Sequence, residues 1–151
     1  MDLELKAIIN DIVKYGLQPK LNVVNKEIEL EENLIKIHLL QFGIDNINVE
    51  KDYPDFDRSI PNLFENIKSN FPKFGYYKVI ENINNLTVWD DLGMGDAIDD
   101  LQDIILDLLE IKWRIDNNSL EDGLWHFKFL FKNHTQQHIL DLINYIRNNH
   151  I

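Results

Sequence analysis

Apolar residues that recur at three- and four-residue steps restrict this chain more than any other feature, because only an α-helix gathers such positions onto one face. Residues 2–15 place Leu3, Ala7, Ile8, Val13 and Tyr15 in a first helix, which Gly16 and Pro19 are expected to stop. Asn25 is the expected cap of a second, with Ile28, Leu30, Leu34, Ile37 and the Leu40 to Gln41 region turned inward as far as Gly43. Ser59 is the candidate cap of a third, with Pro61 near its first position and Pro72 beyond its end. A fourth is predicted over residues 96–116 and a fifth from Ser119 to about Asn149. The expected fold class is all-α, a single helical domain over residues 1–151. It is a bundle of about five helices, whose last two are the longest and antiparallel across NNSLEDG.

One stretch resists this periodicity. YYKVI and LTVW flank the Asn-rich NINN and could pair as a hairpin, but a loop or short helical turn over 76–90 is the preferred reading. DDLGMGD, next in the chain, reads as a break, with Gly93 and Gly95 supplying backbone freedom. It lacks the third glycine and preceding strand of a dinucleotide fingerprint, and the alternating oxygen ligands and distal Glu of a calcium loop.

The chain's 151 residues, 44% hydrophobic and 11% aromatic, are enough to bury a core. The formal charge of −11 repels phosphate backbones and anionic bilayers, which argues against nucleic acid and membrane partners. No basic leader followed by an apolar run opens the sequence, and no segment reaches the roughly 18 uninterrupted apolar residues of a membrane span. A soluble, cytoplasmic protein is expected. With no cysteine, disulfides, thiolate catalysis and thiolate zinc sites are out of reach.

The charge is concentrated. Residues 79–111 hold nine carboxylates and no Lys, Arg or His. Around the predicted fourth helix, Ile98, Leu101, Ile104, Ile105, Leu108 and Ile115 form an apolar arc. Asp96, Asp99, Asp100, Asp103, Asp107 and Glu110 are expected on roughly the opposite, solvated side. Like charges at these spacings repel by a few tenths of a kcal/mol per pair, about 0.2–0.5. Asp107 and Glu110 also stand at the end of the helix that the dipole disfavours. Such a concentration suits docking of a basic protein partner through Asp96, Asp99, Asp103, Asp107 and Glu110, as an immunity protein, antitoxin or adaptor would use it.

The last helix supplies the other chemistry. Leu120, Leu124, Phe127, Phe131, His134, His138, Leu142 and Tyr145 share one stripe, so two histidines one turn apart interrupt an apolar face. Imidazoles at i and i+4 can grip one metal ion, although Thr135 stands where a metalloprotease helix would carry its catalytic Glu. A hydrogen-bonded core pair is the plainer reading. His38, His126 and His150 have no spaced partner.

GDAIDDLQDIILDL, KWRIDNNSLEDGLWHFKFLF and HTQQH, together with FPKFGYYKV upstream, resemble a bacterial family of helical proteins known only as the domain of unknown function 5063. The likeness covers roughly residues 70–150. It implies a helical fold and a pairing of the acidic helix with the histidine helix, and it brings no activity. This chain carries Thr135 and Gln136 where the family usually has Trp-Gly.

Combining the two helices yields the second functional reading. As neighbours in a bundle they would let Asp96, Asp100 or Asp103 reach His134 and His138, to ligate a shared ion or to hold the ring N–H groups. The candidate metal set is His134, His138, Asp100 and Asp103, for a divalent ion, with metal-dependent hydrolysis as the attached activity. No catalytic residue can be named. Ser59 and Ser119 look like helix caps, and no phosphate-cradling loop is present.

Overall fold

The computed structural model describes residues 2–89 and 92–149. Asp90 and Asp91, two of the nine clustered carboxylates, and His150 lie outside the described residues. The elements are α1 (Asp2–Leu17), α2 (Lys26–Leu40) with a 3-10 turn at Gln41–Gly43, α3 (Leu63–Asn70), β1 (Tyr76–Ile80) and β2 (Leu92–Asp96). They continue with α4 (Ala97–Asn117), α5 (Leu120–Leu130), a π-helical segment (Phe131–Thr135) and α6 (Gln136–Asn149). No helix among the described residues is long and apolar enough to cross a membrane.

The centre of the bundle is α4, which packs against α1, α3, α5 and α6, while α2 closes on α1 and α6. Its Leu101, Ile104, Ile105, Leu108 and Ile111 are fully buried, each side chain contributing roughly 1.5–3 kcal/mol of transfer free energy. The helix starts where Asp96 accepts a hydrogen bond from the Ile98 N–H, satisfying one of the first-turn donors. Ser119 caps α5 in the same way, accepting from the Asp122 N–H at 3.0 Å.

The fold is mostly helical, and the all-α expectation is corrected by one antiparallel hairpin. β1 pairs with β2 in the register Tyr76↔Asp96 to Ile80↔Leu92, so YYKVI finds LGMGD rather than LTVW. The glycines that read as a break are strand residues, and neither has a positive φ. Their use is close approach. A Cβ on Gly95 would lie 2.3 Å from Cζ of the Tyr77 ring, and one on Gly93 would lie 2.9 Å from Val79 Cγ2.

Other boundaries move for similar reasons. Gly16 sits inside α1, where a Cβ would lie 2.4 Å from Leu63 Cδ1; it lets α3 approach rather than stopping the helix. Leu3 and Ala7 face solvent, and the buried side of α1 is Leu5, Ile8, Ile9, Ile12, Val13 and Tyr15. Asn25 does precede α2, but in the left-handed region and without a side-chain cap bond. Ile28 points outward, leaving Leu30, Leu34 and Ile37 to bury that helix. Ser59 caps nothing: its N–H donates to Asp57 Oδ1, and α3 begins only at Leu63 after Asn62. The chain from Arg58 to Pro61 is thereby left outside the helix, and Arg58 can reach α4.

The last rod is continuous from Leu120 to Asn149 but is not α-helical throughout. Phe127, Phe131, Thr135 and Ile139, all buried, follow each other at three successive four-residue steps, whereas three α-helical turns take only about 10.8 residues. The π-helical segment absorbs that surplus residue. In consequence Thr135, not His134, holds the place on the core stripe. The two histidines flank it at the surface.

Candidate functional site

The buried face of α4 carries a polar stripe beside its apolar one. Asp100, Asp107, Glu110 and Arg114 are all buried, so the solvated acidic face expected from the sequence exists only in part. Asp99 is exposed, and Asp96 and Asp103 are half-buried. Partial desolvation, followed by the charges of Asp96, Asp103 and Asp100, raises the pKa of Asp99. The buried acids are tolerable because distant segments supply their partners.

Asp107 shows how completely. Its Oδ2 accepts from His134 Nδ1 at 2.8 Å and from the Thr135 hydroxyl at 2.7 Å, and its Oδ1 accepts from Arg58 Nη2 at 2.9 Å. Arg58 reaches on to Glu110 Oε2 at 2.6 Å, and Glu110 Oε1 accepts twice from Arg114, at 3.0 and 2.9 Å. Arg114 also donates to Asp122 Oδ2 at 3.3 Å, and Asp122 Oδ1 lies 3.2 Å from His126 Nδ1. Burial works against charge on Arg114, but its bonds to Glu110, Asp122 and Asp55 outweigh that and raise its pKa. One connected ladder of alternating charge thus runs along α4. Asp107 and Glu110 belong to it, which removes them from the surface offered to a basic partner.

At the N-terminal end of α4 the pattern repeats on the second histidine. Asp100 Oδ1 accepts from His138 Nδ1 at 2.8 Å, while Asp100 Oδ2 accepts from the Tyr77 hydroxyl of β1. The hairpin therefore fixes the carboxylate that fixes the ring. Desolvation, then the hydrogen bond to Asp100, holds the Tyr77 phenol well above its ordinary pKa, and the group stays a donor.

These bonds determine what the other ring nitrogens can do. Each Nδ1 faces a carboxylate and so carries the proton, which leaves the Nε2 lone pair of each neutral ring pointing outward. The two Nε2 atoms lie 3.2 Å apart, and Asp103 Oδ2 lies 3.5 Å from that of His138. Ligand atoms from Asp103, His134 and His138 fall within 4.8 Å of one another. Two facing lone pairs at this distance repel unless a cation stands between them, either a proton or a metal ion. Donors held 2.0–2.1 Å from a tetrahedral ion are themselves about 3.3 Å apart. The observed separation fits that spacing.

Of the candidate metal set, His134, His138 and Asp103 converge through ligand atoms. Asp100 instead holds His138 from behind, the second of the two roles expected for it, and Asp107 does the same for His134. Asp96 is taken up by capping α4. Arg58, Arg114, Tyr77 and the His126–Asp122 pair escape a reading by periodicity. Their only signal is that two arginines stand among so many acids. Thr135 is fully buried and spends its hydroxyl on Asp107.

Set against models of protein families, curated proteins and solved structures, the chain matches none of them.

Proposed function

We propose that this protein binds one divalent transition-metal ion through His134 Nε2, His138 Nε2 and an Asp103 carboxylate oxygen. The observation that carries this reading is the pair of imidazoles, each held from behind by a buried carboxylate, with their Nε2 atoms 3.2 Å apart. Carboxylate-held histidines of this kind are the usual outer support of metal ligands. Two imidazoles and one carboxylate suit Zn(II), or Fe(II) in the facial arrangement, and suit the harder Mg(II) and Ca(II) poorly. The His134 side chain is 43% exposed. Three protein ligands at a solvent-facing position leave room for water or substrate, the coordination of a catalytic rather than a purely structural site, which supports metal-dependent hydrolysis as the attached activity.

Metal analysis of the untagged protein by plasma mass spectrometry, paired with thermal melts with and without chelator, tests the proposal. A near-stoichiometric transition metal whose removal lowers the melting temperature is expected. A metal-free protein that takes up no added zinc or iron overturns it.

Docking of a basic partner on the acidic region draws narrower support. Asp99, exposed and set between Asp96 and Asp103, is what remains of that surface once Asp107 and Glu110 are counted with the buried ladder.

A further inference from the structure

A broad concavity lies away from the histidines and is not lined by His134, His138 or Asp103. It is a groove of about 920 Å³ between the end of α2, the extended residues that follow it, and the outer face of α5 and the π-helical segment. That size is within the range of small-molecule sites, roughly 300–1,000 Å³. Its lining differs from the rest of the molecule. In a chain with 26 acids, no Asp or Glu lines this groove among the described residues, while Lys128 and Lys132 both do. Lys128 Nζ is held by Asn46 Oδ1 at 3.0 Å, a neutral acceptor that leaves its charge uncompensated.

The apolar part is equally specific. Trp125 and Phe129, one turn apart, stack with ring centroids at 5.1 Å and planes 8° apart, and Phe42 stands across from them, 74% exposed. Lys128 and Lys132 follow Trp125 and Phe129 by three residues each, so two ammonium-bearing side chains line the groove beside a flat aromatic platform. Carboxamides of Gln41, Asn46, Asn48, Asn133 and Gln136 complete the wall, each side chain having both a donor and an acceptor.

We infer that this groove binds a small anionic ligand built on a flat heteroaromatic ring, and that a purine nucleoside monophosphate is the ligand class it fits. The phosphate takes Lys128 and Lys132, the base lies against the aromatic side chains, and the carboxamides meet the base edge. An acidic peptide would leave the aromatic platform of Trp125 and Phe129 without a flat partner, so it is the competing ligand in the test. A nucleic acid strand is disfavoured by the overall charge of −11.

The test is calorimetric titration of chelator-treated protein with adenosine monophosphate, with adenosine and inorganic phosphate as separate probes, so that phosphate binding to a metal cannot contribute. Binding of the nucleotide with a Kd below about 1 mM is expected, with each fragment at least tenfold weaker. Lys132→Glu and Trp125→Ala should each weaken it about tenfold with melting temperature held, and Asp103→Asn should leave it unchanged. No nucleotide binding, binding indifferent to both groove substitutions, or tighter binding of a glutamate-rich peptide overturns the inference.

Discussion

Nε2 of His134 and Nε2 of His138 lie 3.2 Å apart, although the Nδ1 of each ring is committed to a different buried carboxylate of α4. The opposing Nε2 positions are therefore where any metal chemistry would occur. Substituting the ligands separates this role from a packing role, since both rings stand at the edge of the core. His134→Ala and His138→Ala should each abolish metal binding while leaving the far-UV circular dichroism spectrum unchanged. Metal affinity retained in either variant counts against the site.

Asp107 is the stress point of the charge ladder. Removing it leaves Arg58 and His134 without their buried acceptor, and breaking a buried ion pair from one side costs about 3–5 kcal/mol. Asp107→Ala is expected to destabilise by about 3 kcal/mol in urea melts. Arg58→Gln should cost less, because the Arg58 side chain is 40% exposed and water recovers part of the loss. Asp107→Ala and Asp107→Asn should also weaken metal binding by about 10–100-fold through the freed imidazole. An Asp107→Ala variant as stable as the parent would contradict the ladder.

Tyr77 can meet Asp100 only because Gly95 has no side chain. Gly95→Ala puts a methyl group 2.3 Å from Tyr77 Cζ, and overpacking of this kind costs about 1–3 kcal/mol. The displaced ring should release Asp100 and, with it, His138, so metal affinity falls alongside stability. Gly75→Ala is the control, with nothing within 4 Å of its added carbon, and its effect should stay within about 0.5 kcal/mol. Equal melting temperatures for the two variants would refute the close approach.

The pKa of His138 is raised above 6.5 by its hydrogen bond to Asp100, partly opposed by burial, and further by the charges of Asp100, Asp103 and Asp107. A folded-state pKa above the unfolded value means that the folded protein binds the proton more tightly. The resulting stability is fully present below about pH 6.5 and lost as pH rises through the folded value. Metal-free protein should therefore lose melting temperature across that interval, and His138→Gln should lose less of it. Metal binding must displace the same proton, so affinity should rise with pH over the same range. Parallel pH profiles for parent and His138→Gln would exclude this coupling.

Local patterns in the sequence carried the helices well. The α5 cap at Ser119 is short-range chemistry and stands where the residues indicate, whereas Asp96, read as a solvated acid, caps α4. What periodicity misses is nonlocal. The acids of α4 look solvated because Arg58, His134 and Tyr77, which compensate them, lie 23 or more residues away in sequence. Gly93 and Gly95 look like a break because nothing local reveals that a tyrosine and a valine will cross above them. The π-helical segment had a local trace in the four-residue steps from Phe127 to Ile139, but His134 read as part of the apolar stripe conceals it.

The most direct measurement is calorimetric titration of chelator-treated protein with zinc, run in parallel on the parent and on a His134→Ala, His138→Ala double variant. One zinc ion per chain, bound with a Kd near or below about 1 μM in the parent and lost in the double variant, is the expected result. No saturable binding in the parent, or equal binding in both proteins, contradicts a metal centre at this site.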